Sequence, residues 1–437
     1  MSSISHPQEF TPDGDHGAHD VAPGDIAVGV VIGRASEYFD FFVYGIASVL
    51  VFPQLFFPFA TPLDGTLWSF AVFSLAFVAR PFGTAISMAM QRRWGRATKL
   101  TTSLFLLGTC TVSIAFLSGY ASQGEAAIVA LVLLRIGQGL ALGGSWDGLP
   151  SLLAMSAPQG KRGWYAMLGQ LGAPIGFILA CALFAFLYGS LAPEDFYAWG
   201  WRYPFFVAFA INVVALFARL RMVVTPEYEE LLERRELEPV STRELIGAQG
   251  RNLWIGAFAA LASFALFHIV TVFPLSWLHL YSQQSINQVL GFQIFGGFLI
   301  AGGIVASGWI ADTVGRRRTL ATLAIMIAVF SGFAPTLLNG GAVGEDLFIM
   351  LGSVLLGLSY GQSSGSVTSN FLPKYRYVGA ALTADMAWLI GAAFAPLVAL
   401  GLSAKFGLAF LSLYLLSGAA ATWLALYLNK SLEATKD

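Results

Sequence analysis

The sequence predicts an all-α polytopic membrane protein, with about twelve transmembrane helices in two pseudo-symmetric bundles of six. Three observations lead there. Of 437 residues, 56% are hydrophobic and 11% charged, with a mean hydropathy of +0.69, whereas a soluble domain carries about a quarter charged residues. The apolar residues gather in runs of about 20, the length that crosses a bilayer. Those runs fall in two sets around the most charged part of the chain.

Taken in order, residues 1–25 form a polar segment without the basic start and apolar core of a secretory signal. It reads as a disordered cytoplasmic tail. His6, His16 and His19 lie there among acids, but composition alone makes no metal site, and no metal is expected. The first bundle, 26–223, holds apolar runs near 26–50, 66–90, 101–119, 126–156, 164–190 and 203–223. Residues 224–251 are a charged linker with a weak apolar face from Leu231, Leu232 and Leu237, expected to be partly helical on the membrane surface. The second bundle, 252–430, has runs near 253–280, 288–311, 319–338, 347–372, 378–402 and 406–428, and 431–437 are a short tail. Cys110 and Cys181 stand singly in apolar runs, which excludes a disulfide framework.

Basic residues set the expected orientation. Arg92, Arg93, Arg96, Lys161, Arg162, Arg316, Arg317, Arg318, Lys374 and Arg376 follow even-numbered runs, while the opposite loops are mostly acidic. Lys and Arg accumulate on the cytoplasmic side, so both termini and the linker are expected there. The halves also echo each other: residues 88–96 lie between runs two and three, and 308–316 between runs eight and nine, 220 residues on. Gly83 falls opposite Gly303 in the same register. Duplicated six-helix halves suit a secondary transporter with its site between them near mid-membrane.

The chemistry gathers around Glu37–Gly45. Glu37, Asp40 and Tyr44 share one helix face in a run charged otherwise only at Arg34. Buried acids face protein or a watery path, so Asp40 and Glu37 are the proton candidates, ranked in that order. Asp40 has no local basic partner, whereas Glu37 is also placed to neutralise Arg34. Arg80 and Arg135 lie deep in runs two and four. Each either pairs with Glu37, Asp40 or Asp147 or binds an anion, with Gln138 on the face of Arg135. Asp385 is a second titrating group or a partner for an arginine of the other half. His268 is either a hydrogen-bonded helix residue or a proton or substrate group. Trp146, Trp388 and Tyr44 are candidate pocket residues, against packing as the plain alternative. Gln362, Ser363 and Ser364 make run ten polar and suggest a water-lined face.

Gly308-Trp-Ile-Ala-Asp312-Thr-Val-Gly315-Arg316-Arg317 resembles the inner-loop motif of the major facilitator superfamily, G-x-x-x-D-x-x-G-R-[KR]. More narrowly, Glu37-Tyr-Phe-Asp40-Phe-Phe-Val-Tyr44-Gly45, Arg80-Pro-Phe-Gly83, Arg135-Ile-Gly-Gln138-Gly139, Gly200-Trp-Arg-Tyr-Pro-Phe205 and Arg376-Tyr-Val-Gly379 are similar to motifs of its metabolite:proton symporter family. That resemblance implies the major facilitator fold and a secondary transporter using a proton as coupling ion. It implies gating by Gly308, Asp312, Gly315, Arg316 and Arg96. The chain departs at Met88 and Arg92, where the family has Gly and Asp, and at Ser145, Asp147 and Met155. Gating of the first half is therefore left open, as is the role of the displaced acid Asp147.

The expected function is proton-coupled symport of a small organic anion, a carboxylate metabolite, in a cell inner membrane. An efflux antiporter for an amphipathic compound is the alternative. No catalytic constellation is present, since His268 and His279 lack any HxxxH or HExxH spacing, so the chain is not expected to be an enzyme. Its expected partners are the anion and membrane lipids, not nucleic acid, around a monomer.

Overall fold

The computed structural model describes residues 23–145, 157–158, 160–222, 239–364 and 370–429. Among them, ten helices are long and apolar enough to cross a membrane. One, Pro62–Ala115, is two spans that meet at Gly95, whose φ of 82° lies where only glycine sits without strain. With α1, Pro23–Leu50, the count is twelve. In order the rest are α2 (62–94), α3 (96–115), α4 Glu125–Ser145, α5 Arg162–Ser190, α6 Tyr203–Met222, α7 Leu261–Tyr281, α8 Ile286–Val314, α9 Arg316–Leu338, α10 Gly341–Tyr360, α11 Pro373–Phe406 and α12 Ala409–Leu428. Hydrocarbon offers no partner to a backbone amide, so each apolar run closes its hydrogen bonds on itself as a helix.

The duplication is visible in the backbone. Gly315 ends α8 with φ 93°, as Gly95 ends α2, at the same 220-residue offset. A Cβ on Gly83 would run into the Leu140 backbone, so α2 and α4 cross at contact there. A Cβ on Gly303 would lie 2.9 Å from the Leu358 nitrogen, giving the same crossing between α8 and α10. The core runs through both halves: α7 is 94% buried over its apolar window, whereas α6, α8, α9 and α12 are each 39% buried and face outward.

Trp146, Asp147 and Met155 lie outside the described residues. Two boundaries differ from those read off hydropathy. Run ten ends as a helix at Tyr360 and continues in turns through Ser364. The expected linker boundary at 251/252 falls inside one helix, Thr242–Ala259, interrupted by non-helical dihedrals at Gln249. Hydropathy measures where the chain is apolar; a helix is ended by backbone geometry, which it does not register.

Candidate transport site

The first half has a polar centre. Asp40 on α1 is 2% exposed and accepts hydrogen bonds from three helices. Its Oδ2 takes the Thr111 hydroxyl of α3 at 2.6 Å and Asn212 Nδ2 of α6 at 3.0 Å, and its Oδ1 takes Gln138 Nε2 of α4 at 3.3 Å. As read from the sequence, Asp40 has no local basic partner among the described residues. Its partners are neutral donors far off in sequence, and the carboxylate is satisfied without an adjacent cation. Glu37 meets Arg34 one turn below at 3.5 Å.

Arg135, 1% exposed, lies beside this centre. Its Nε donates to the Phe73 carbonyl at 3.2 Å and its Nη1 to Gln138 Oε1 at 3.0 Å, and its guanidinium carbon stands 3.8 Å from the centre of the Tyr44 ring. Its Nη2 is buried and has no hydrogen-bond partner among the described residues. The Tyr44 hydroxyl and His268 Nε2 are likewise buried without partners. All three side chains surround the Phe73 ring, with Arg135 at 4.9 Å, His268 at 5.2 Å and Tyr44 at 6.2 Å. His268 comes from α7, so both halves contribute. Its Nδ1 stands 2.6 Å from the Ala392 carbonyl, which can only accept. The proton is therefore on Nδ1, and a neutral ring offers Nε2 as an acceptor. Around one ring the fold gathers two spare donors and one spare acceptor.

Arg80 reaches across the halves and takes up the partner role that the sequence left open for Asp385. Its Nη2 lies 2.8 Å from Asp385 Oδ1 on α11, and the Thr84 hydroxyl donates to Asp385 Oδ2 at 2.5 Å. Trp388, one turn on, places its ring 5.9 Å from the guanidinium carbon and stacks on Phe77. The Tyr38 and Tyr360 hydroxyls are hydrogen-bonded beside them, again across the halves. Sequence reasoning missed Thr84, Thr111 and Asn212. Of these only Asn212 left a signal, as a lone amide in the apolar run 205–217.

A sequence profile of the Major Facilitator Superfamily matches residues 30–396. The chain belongs to that superfamily. The inner membrane metabolite transport protein YhjE of Escherichia coli (strain K12) is 35% identical over 434 residues, covering 98% of this chain and 97% of the relative. The shikimate transporter of the same strain is 30% identical, covering 90% and 91%. Among solved structures, the xylose transporter XylE from E. coli in a partially occluded inward open conformation superposes with a TM-score of 0.70 at 17% identity, over 93% of this chain and 98% of that one. A crystal structure of D-xylose-proton symporter gives 0.69 at 18%, over 93% and 97%. This facilitator is a multi-pass membrane transporter and not an enzyme.

The superfamily's inner-loop motif ties the two halves together on the linker side. Asp312 Oδ1 accepts from the Gly163 amide at 2.6 Å and Oδ2 from the Trp164 amide at 3.2 Å, capping the start of α5. A carboxylate there meets unsatisfied amides and the positive end of the helix dipole. Arg316 adds Nη2 to the Arg162 carbonyl at 3.1 Å, and Gly308 lets α8 lie against α5, since a Cβ would meet Met167 at 2.9 Å. Arg96, in the first half, is half-buried. Gln362, Ser363 and Ser364 do not line a watery face here. Gln362 Nε2 donates to the Gly163 carbonyl and the Ser364 hydroxyl to the Ala166 carbonyl, while Gln170 Nε2 donates to the Ser363 hydroxyl. Their polarity serves the seam between the halves.

The altered loop of the first half works differently. Arg92 Nη1 donates to the carbonyls of Val240 and Pro239, at 3.0 and 3.2 Å. Met88 is buried in a cluster with Val240, Leu245, Leu253, Phe371 and Tyr377. Lys99, fully buried, donates to the Tyr377 hydroxyl at 3.0 Å, which donates to Gln91 at 3.2 Å. On the far side a cleft of about 560 Å³ remains, lined by Val49, Gln54, Pro58, Thr66, His279 and Leu280 among others.

Proposed function

We propose that this facilitator carries out proton-coupled symport of a small organic anion, a carboxylate metabolite, by alternating access in a cell inner membrane, with both termini and the linker cytoplasmic. The observation that carries the reading is the buried Arg135 with a spare Nη2, beside the spare Tyr44 hydroxyl. One donor on a cation and a neutral hydroxyl beside it suit the two oxygens of a carboxylate. The spare His268 nitrogen adds a place for a hydroxyl or N–H of the same solute. Asp40 is the proton carrier, held among donors and linked to the anion anchor through Gln138. The sealed linker side and the far-side cleft correspond to the outward-facing arm of the cycle. The relatives named as metabolite and shikimate transporters support the substrate class.

The test is uptake by proteoliposomes of purified protein, screened with shikimate and with aliphatic and aromatic carboxylates, with and without an imposed inward proton gradient. Accumulation should follow the gradient. Asp40→Asn should abolish gradient-driven accumulation while preserving counterflow exchange of the same acid. Uptake indifferent to the gradient would overturn the coupling, and normal accumulation by Asp40→Asn would move it to another carboxyl.

A further inference from the structure

Gln138 joins the two groups that the proposed function needs, and its amide orientation is forced. Arg135 carries donors only, so the atom facing its Nη1 at 3.0 Å is the amide oxygen. The amide nitrogen must then face the other way, where it lies 2.8 Å from Thr111 Oγ1 and 3.3 Å from Asp40 Oδ1. Because the Thr111 oxygen receives that N–H, its own hydrogen goes to Asp40 Oδ2 at 2.6 Å. Asn212 is aligned in the same sense: its Oδ1 takes the Ser36 hydroxyl at 2.8 Å and its Nδ2 donates to Asp40 at 3.0 Å. Every polar neighbour therefore donates toward Asp40, and one line of donation runs from the guanidinium through the amide and the hydroxyl to the carboxylate.

We propose that Gln138 is a positioning residue that transmits anion binding at Arg135 to the protonation state of Asp40 through this directed chain of hydrogen bonds. The inference rests on the reading of Arg135 as anion anchor and Asp40 as proton carrier, and assigns how they communicate. Chains of hydrogen bonds polarise one another. An anion on Nη2 shares the guanidinium charge and weakens the Nη1 donation to Gln138. The donation Gln138 passes to Thr111 and Asp40 weakens with it, so the ionised carboxylate loses support and takes up a proton. That proton has an acceptor only if the Thr111 hydroxyl turns away from Asp40, which reverses the last link. Anion and proton then bind together, which is the sign symport requires. Gln138, considered from the sequence as a substrate contact, acts here between two protein groups. Among the described residues, the other titratable or charged groups acting on Asp40 are Glu37 on its own helix, Arg135 on α4 and the Cys110 thiol on α3, while α6 presents neutral Asn212.

The experiment is infrared difference spectroscopy of the full chain in lipid, titrated from about pH 4 to about pH 9, the span that covers ordinary and buried carboxyls. It needs no substrate, so its failure is distinct from failure of the transport reading. Asp40→Asn assigns the protonated-carboxyl band. Gln138→Leu should move the midpoint of that band by about one unit or more, and Arg135→Gln should move it too. In the Gln138→Leu background the Arg135→Gln shift should fall to less than about a third of its size alone, the non-additivity expected of a shared network. Gln138→Met carries the same test if Gln138→Leu does not fold. A Gln138→Leu midpoint superposed on the wild type would overturn the relay. So would an Arg135→Gln shift of equal size in both backgrounds, which indicates a field acting through space. Absence of any band removed by Asp40→Asn would overturn it as well.

Discussion

Arg135 shows how one side chain can be both anchored and available. Two of its nitrogens are held by the Phe73 carbonyl and Gln138, and the third is buried with no hydrogen-bond partner among the described residues. A buried donor without a partner costs about 1–3 kcal/mol, and a bound carboxylate recovers that energy. Lysine keeps the charge but not the planar fork. Arg135→Lys should therefore weaken binding of the transported acid by about 10- to 100-fold, equivalent to the 1.5–3 kcal/mol of a charge-assisted hydrogen bond, read by calorimetric titration. Tyr44→Phe removes a neutral donor and should cost about tenfold or less by the same measurement. The ionic members of this site were legible in the sequence because charge in hydrocarbon is costly and has to have a reason. Thr111 was not, since a helical threonine ordinarily satisfies its hydroxyl on its own backbone. Nothing local distinguishes one that turns to an aspartate 71 positions away.

At the scale of helices, twelve spans and the duplicated half were legible because run length and motif offset are local properties. What the altered inner loop does was not. Met88 and Arg92 look like the loss of a gate until the segment at Val240 is seen covering them. The helix starting at Thr242 is tied onward by Glu244, which accepts from Lys374 Nζ at 2.7 Å and the Tyr375 hydroxyl at 3.0 Å. Those donors hold the exposed Glu244 carboxyl below its ordinary value. Its contribution is therefore fully present above the unfolded value of about 4.3 and is lost as the pH falls through the depressed folded value. Hydrogen exchange of residues 242–248, corrected for intrinsic rate, should show protection constant above that range and falling below it, and Glu244→Gln should remove the pH dependence. The helix crossings give a second test. Both glycines face backbone, but a Cβ on Gly83 would come closer to Leu140 than one on Gly303 would to Leu358, at 2.9 Å. Gly83→Ala should therefore lower the melting temperature in detergent more than Gly303→Ala, with overpacking costs of about 1–3 kcal/mol setting the scale.

For the whole molecule the decisive contact is Arg80 with Asp385, 305 residues apart and buried on both sides. The sequence left Asp385 as a second titrating group or a partner for an arginine of the other half, and which arginine it meets is fixed only once the two bundles face each other. It is also a contact that alternating access must break: if the halves rock, α2 and α11 separate at this level and both charges need other partners. Removing one member leaves a buried charge uncompensated, at a cost of about 3–5 kcal/mol, whereas replacing both with apolar groups of similar size is often neutral or stabilising. Asp385→Asn and Arg80→Met should each lower thermal stability sharply in the outward-facing state, and Arg80→Met combined with Asp385→Leu should recover most of it. If the pair only holds the bundles together, transport should recover alongside stability in the double variant. If it is a latch whose opening is timed by solute and proton, the double variant should be as stable as the wild type yet accumulate nothing against a gradient. Proteoliposome uptake measured beside the melting curve separates the two. The buried position, with Thr84 as a third ligand and Trp388 covering the guanidinium, favours the second outcome. A cross-bundle tie needed only for adhesion could be apolar, as the rings of Phe41, Phe77, Phe267 and Trp388 packed across the halves already are.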